Sequence, residues 1–180
     1  MTFGIDHDPR WVPVLGLEAR MVDGAPPSPL PAGSDVVREL MLADRAAAGF
    51  VLADDAEPAA APVAWATLHV EDVPGCTVDA VVEGFRAVPS AVSATAVYPV
   101  HTRLGPAVRL QHDRIHHLPL NDVRSPGSVL VTHAIWLWQI VDDGDEVVVS
   151  LGTEMPVPHP AAEALPLFDD LALGFRSVSS

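Results

Sequence analysis

The run VLVTHAIWLWQIVDDGDEVVVSLGT, residues 129–153, constrains the fold more than any other part of this chain. Two stretches rich in β-branched and aromatic residues flank Asp143-Gly144, a dipeptide that accepts the positive φ angles of a tight hairpin turn. Both arms are apolar almost without interruption. A strand wetted on one face alternates, so this hairpin is expected at the centre of a sheet, covered on one face or on both.

The remaining elements arrange themselves around it. WVPVLGLEARMV (11–22) reads as one or two short extended pieces, limited by Pro13 and Gly16 to an edge or a bulge. Ser34 reads as a helix N-cap with Asp35 in the first turn, and Val37, Leu40, Met41 and Ala48 recur at helical spacing up to a stop at Gly49. Strands follow over 50–53 and 63–70. In the second of these, alternation puts Trp65, Thr67 and His69 on one face and Ala64, Ala66, Leu68 and Val70 on the other. Thr77 can cap a second helix with an apolar face of Val78, Val81, Val82 and Phe85, ending before Pro89. Strands are expected over 91–98 and 105–115, and a C-terminal helix over 159–178. Its stripe is Leu165, Phe168, Leu171 and Phe175, with Asp169, Asp170 and Arg176 outside it and Pro166 in the first turn or at a kink.

Short links between the late strands force antiparallel pairing. The expected fold is therefore α+β, an antiparallel sheet packed with helices in an α/β/α sandwich. At 180 residues it is read as a single domain over 1–180, with a Pro/Gly-rich loop at about 23–33 and a low-complexity loop at about 54–62.

Composition narrows the function classes. The formal charge is −14, from 24 acids against 10 bases, and every base is an arginine. Such a surface repels phosphate backbones, so no nucleic-acid partner is expected, and a basic partner suits it better. The lysine-free, Ala/Val/Pro-rich usage suggests the coding bias of a GC-rich, actinobacterial genome. A single cysteine, Cys76, excludes an intramolecular disulfide. No apolar stretch reaches the length of a membrane span and the amino terminus lacks a signal-peptide pattern, so a cytoplasmic protein without membrane insertion is expected.

Four features resemble the PsbP-like superfamily: Trp11 in proline-rich surroundings, the Gly105-Pro-Ala-Val-Arg-Leu strand, the hairpin from Ile135 to Ser150, and the closing LFDDLALGFRSV. That group includes an extrinsic photosystem subunit, a nuclear import factor and bacterial chaperones of secreted effectors. The resemblance implies a short hairpin near the tryptophan, a helix and strand, a second helix, a long antiparallel sheet and a closing helix. It also implies a binding or adaptor role. It carries over no catalytic residue, because the group shares none.

Residue by residue, the richest polar stretch is VRLQHDRIHHLP, 108–119. His112 and His116 have the i, i+4 spacing of a zinc pair on a helix, but this segment reads as a strand, and HEXXH logic needs a helix with a glutamate inside. On a strand His112, Arg114 and His116 form one polar stripe, with Asp113 and Ile115 opposite. The expectation is a structural stripe or a partner-contacting edge. No site is expected from His117, and no metal or cofactor. His133 reads as a hydrogen-bonded core or interface histidine. Trp136 and Trp138 share a face and are core if a helix covers it, or an aromatic partner-binding patch if none does. Cys76 reads as a turn thiol, and Asp142, Asp143 and Asp145 as a solvated hairpin tip without EF-hand spacing. Glycine-rich phosphate loops, GxSxG elbows and paired cysteine ligands are missing.

The functional expectation is a non-enzymatic protein-binding module, an adaptor or chaperone-like accessory protein. Its partner-binding candidates are Trp136, Trp138, His112, Arg114 and His116, and its partner is a basic, secreted or toxin-like protein. The first alternative is a small-molecule binder or enzyme with a pocket around His112, His116, His133 or Arg114. The second is a self-assembling structural protein with a homodimer face at Trp136 and Trp138.

Overall fold

The computed structural model describes residues 2–16, 30–54, 56–57, 60–71, 73–88, 92–117, 128–142, 144–156 and 161–178. The elements are β1 (Thr2–Ile5), β2 (Trp11–Leu15), α1 (Ser34–Ala43), β3 (Ala48–Leu52), β4 (Ala64–Glu71) and α2 (Val78–Arg86). Then come β5 (Ala96–Thr102), β6 (Gly105–His117), β7 (Ser128–Asp142), β8 (Asp145–Pro156), α3 (Ala161–Leu173) and β9 (Phe175–Val178).

Seven strands form one sheet in the order β2-β3-β4-β8-β7-β6-β5, and every neighbouring pair is antiparallel. Two meanders, β2-β3-β4 and β5-β6-β7-β8, meet where β4 pairs with β8. The chain must travel from β4 to the far edge at β5, and α2 makes that journey across one face. The expected hairpin is β7–β8, closed at Asp142↔Asp145 with Gly144 at φ 98°. Asp143 and the Asp142 side chain, part of the acidic tip expected from sequence, lie outside the described residues. This hairpin sits centrally, flanked by β4 and β6, as its apolar run demands.

Alternation then divides the core into layers. On one face, Trp136 and Trp138 of β7, Leu151 of β8, Leu68 of β4 and Phe50 of β3 pack under Phe168, Leu171 and Ala172 of α3 and Phe175 of β9. β9 pairs with β1, a two-stranded flap on that same side. Trp11 is fully buried here, and its indole N–H donates to the Leu167 carbonyl (2.9 Å), tying β2 to α3. On the other face Val82, Val81, Val78 and Phe85 of α2 cover Leu110, Leu137 and Ile135, while Val37 of α1 packs on Val12 and Val51. The result is the expected α+β sandwich, with α3 on one side and α1 and α2 on the other.

Several local expectations are corrected. Ser34 is the first helical residue, not the cap. Gly33 occupies the cap position at φ 83°, and the Ser34 hydroxyl donates backward to the Pro31 carbonyl at 2.7 Å. Gly49 does not stop α1, which ends at Ala43, and lies inside β3 with Ala48. A Cβ on Gly49 would stand 2.1 Å from the Met41 sulfur, so glycine there lets α1 approach the sheet. Leu40 does not face the core and is mostly exposed. The strand expected over 91–98 is β5, 96–102, and the C-terminal helix yields to β9 after Leu173. Pro166 lies inside α3. Most of the loop expected at 23–33 lies outside the described residues. Thr77 does cap α2, its hydroxyl accepting from the Ala80 N–H at 3.2 Å.

Candidate functional site: an open cleft between two helices

α1 covers β2 and β3, and α2 covers β6 and β7. α2 also covers Val148 at the start of β8, but neither helix covers β4 or the rest of β8, so the middle of this sheet face stays open. The gap is a cleft of about 730 Å³, walled by Leu40 and Met41 of α1 and by Val81 and Phe85 of α2. Its floor is two paired strands. β4 presents Trp65, Thr67, His69 and Glu71, the set that alternation assigns to one face, and β8 presents Glu154, Gly152, Ser150 and Val148. Trp65 is 36 % exposed, whereas Trp11, Trp136 and Trp138 are all 2 % exposed or less.

Three of the floor and wall residues have the types of a nucleophilic triad. His69 Nε2 lies 3.5 Å from Asp44 Oδ2, and Ser150 is the direct cross-strand partner of His69. The arrangement does not have the geometry of acyl transfer. Among the described residues no hydrogen bond joins the Ser150 hydroxyl to His69. β8 is also paired on both sides, so its backbone N–H groups are engaged in ladders and cannot form an oxyanion hole beside Ser150. What the group does supply is an imidazole, a hydroxyl and an exposed carboxylate at one end of an apolar-walled groove.

At the other end, His112 of β6, His133 of β7 and Glu154 of β8 are successive cross-strand partners. The His112 and His133 rings meet edge to face, with centroids 5.3 Å apart, and Phe85 of α2 lies over both at 5.9 and 5.4 Å. Arg114 forms an ion pair with Glu154. The expected stripe of His112 and Arg114 on one strand face is present, but His112 is not an edge contact: it is only 3 % exposed. Burial, with the Arg114 guanidinium beside it and partly offset by Asp113, holds its pKa below the ordinary 6.5. Burial also lowers the Arg114 pKa. The side chains of His116 and His117 lie outside the described residues. No group of three or more metal-ligating side chains occurs among the described residues.

Trp136 and Trp138 require the plainest correction. They stack on one another 6.1 Å apart beneath α3, and their indole N–H groups donate to Asp169 and to the Thr102 hydroxyl, each at 2.9 Å. They are core, so neither a partner-binding patch nor a homodimer face can be built on them. Asp169, placed outside the apolar stripe by spacing, also accepts from Arg109 at 2.7 Å and so anchors α3 to β6 and β7. Of the four tryptophans, the one open to a partner is Trp65. Alternation in β4 already separated it from the core set, but nothing local showed that its face would lack a cover.

No protein-family model and no curated protein matches this chain. Among the described residues no helix is long and apolar enough to cross a membrane.

Proposed function

We propose that this chain is a non-enzymatic protein-binding module, an adaptor or chaperone-like accessory protein, that takes an extended segment of a partner in the α1–α2 cleft. The observation that carries the reading is the uncovered centre of the sheet, with half-exposed Trp65 on its floor and exposed Leu40 on its wall. A large aromatic side chain left at the surface beside other apolar groups is what a partner's side chains bury against. The cleft is open on the side away from the sheet, which suits a polypeptide lying along it better than an enclosed small molecule.

Charge selects the partner's character. The residues lining the cleft include Asp44, Glu71 and Glu154 and no lysine or arginine, on a chain of net charge −14. A basic segment complements this surface and is steered toward it. The order of elements from β2 onward, with Trp11 opening β2, two helices around β3 and β4, a long antiparallel sheet and a late helix, supports the PsbP-like resemblance and the adaptor role that it implies. β2 pairs with β3 and β1 with β9, however, so the hairpin expected near the tryptophan is not formed between β1 and β2. A cytoplasmic location belongs to the same proposal and is supported by the lone, unbridged Cys76.

Trp65 provides the test. Titrating the purified chain with pooled basic decapeptides is expected to shift tryptophan emission to the blue, and Trp65→Phe is expected to abolish the shift. Acidic pools of equal hydrophobicity are expected to give none. Emission unmoved by every pool, or a shift that survives Trp65→Phe, would remove the cleft from consideration.

A further inference from the structure

Gly152 lies in the middle of β8, between Thr67 of β4 and Ile135 of β7, on the floor of the cleft. Its φ is not in the left-handed region, so the backbone there does not call for glycine. Packing does not call for it either. A Cβ built on Gly152 would meet only Ile135 Cγ1 within 4 Å, at 3.7 Å, which is ordinary van der Waals contact. Glycine in a strand interior weakens the strand, and where no turn, bulge or internal contact needs it, it often marks a place where another group approaches the sheet closely. Gly49 is the contrasting case on this face, since a Cβ there would collide with Met41.

The missing side chain leaves a socket. By the strand register its neighbours are Thr67 and Ile135 across, with Ser150 and Glu154 two residues away along β8. Trp65 precedes Thr67 on the same face of β4 and His69 follows it. The walls near the socket are apolar, but in the direction of Ser150 the cleft ends at Asp44, beside His69, and at Glu71. Glu71 has no ion-pair partner among the described residues, and the partner of Asp44 there is His69, which balances its charge only when protonated. No arginine lines this end.

We infer that Gly152 floors a specificity socket for a lysine or arginine side chain carried by the partner segment, an inference that rests on the proposed segment-binding function. The aliphatic stem starts over Gly152 against Ile135, between the levels of Trp65 and His69, and the cationic head points toward Asp44 beside His69. The reach fits Asp44, which stands beside His69. His69 lies two residues along β4 from Thr67, about 7 Å, comparable to an extended basic side chain, whereas Glu71 lies two residues further on and adds only to the negative potential of this end. A stem on apolar surface with its charge at a polar rim is the usual habit of these side chains.

The test uses the full chain and two peptide sets that differ at one central position, lysine in one and norleucine in the other. The wild-type chain is expected to favour the lysine set by about tenfold, equivalent to about 1.4 kcal/mol. Gly152→Val fills the socket while adding a β-branched residue to a central strand. It is expected to bring the two sets within about twofold, a difference near 0.4 kcal/mol, with an unchanged circular dichroism spectrum and an undiminished Tm. Asp44→Asn, at an exposed position, is expected to reduce the preference without touching the floor. Equal binding of both sets by the wild type, or a preference that survives Gly152→Val in a folded protein, would overturn the socket and leave segment binding standing. Failure of both sets to move Trp65 emission would overturn segment binding itself, and the socket with it.

Discussion

Protonating His112 would place a cation in a nearly dry site beside Arg114. The ring is enclosed by Phe85 of α2 and by the edge of His133, and the Thr95 hydroxyl lies 3.4 Å from its Nδ1. Its Nε2 has no hydrogen-bond partner among the described residues. The charged groups around it are Arg114 and Asp113 on its own strand and Glu154, which Arg114 holds. On α2 the charges of Glu83 and Arg86 are exposed and pair with each other at 2.6 Å. The folded protein therefore keeps His112 neutral, with its pKa below the ordinary 6.5. Below that ordinary value the unfolded chain binds a proton that the folded chain resists, so stability falls as pH drops through 6.5 toward the folded pKa, and is flat above it. Urea midpoints at pH 7.5 and 5.5 check this: wild type is expected to lose stability across the interval, and His112→Phe to lose measurably less. An equal loss in both proteins would assign the effect to other groups. Other residue identities were legible only in part. Spacing placed Asp169 off the apolar stripe, which is true, but its use as acceptor for both Arg109 and Trp136 depends on three elements meeting.

At the scale of single elements, local signals worked best where a cap or a turn residue has its own chemistry. Thr77 before an apolar helical stripe gives α2, and Asp-Gly between two β-rich runs gives the central hairpin. α2 is a nine-residue helix, too short to hold itself together without packing and capping. Thr77→Ala removes the acceptor for the Ala80 N–H and is expected to cost about 1 kcal/mol in chemical denaturation, while Thr77→Ser retains most of it. A loss no larger for alanine than for serine would mean that the cap contributes nothing. The elements misread from sequence failed for identifiable reasons. Ser34 has the right side chain for a cap, but Gly33 takes the left-handed conformation at that position and the serine bonds backward. Helical spacing ran on through Ala48 because alanine suits both a helix and the packed face of β3. β9 was absorbed into α3 because Phe175 continues the helical stripe although it points into the same core from a strand.

For the whole molecule, the two faces of the sheet are unequal. α3, β9 and the inner face of the sheet build the larger core around Trp136 and Trp138, whereas α2 rests on the smaller cluster of Leu110, Ile135, Leu137 and Val148. Opening free energy follows buried apolar contact, so backbone amides of α2 are expected to exchange with solvent faster than those of α3. Native-state hydrogen exchange reads this directly, and equal protection of the two helices would show that the sandwich opens only as one unit. The same asymmetry makes the cleft. Local patterns suffice for the α+β class, the central hairpin, the α2 stripe and the division of β4 into Ala64, Ala66 and Leu68 on one side and Trp65, Thr67 and His69 on the other. Those are consequences of local periodicity and turn chemistry, which act within a few residues. Long-range packing set the rest: that β4 pairs with β8, that α3 covers Trp136 and Trp138, and that α1 and α2 leave β4 and most of β8 uncovered. Alternation states which side chains share a face; what covers that face is set by where distant segments pack, and no short-range pattern records it.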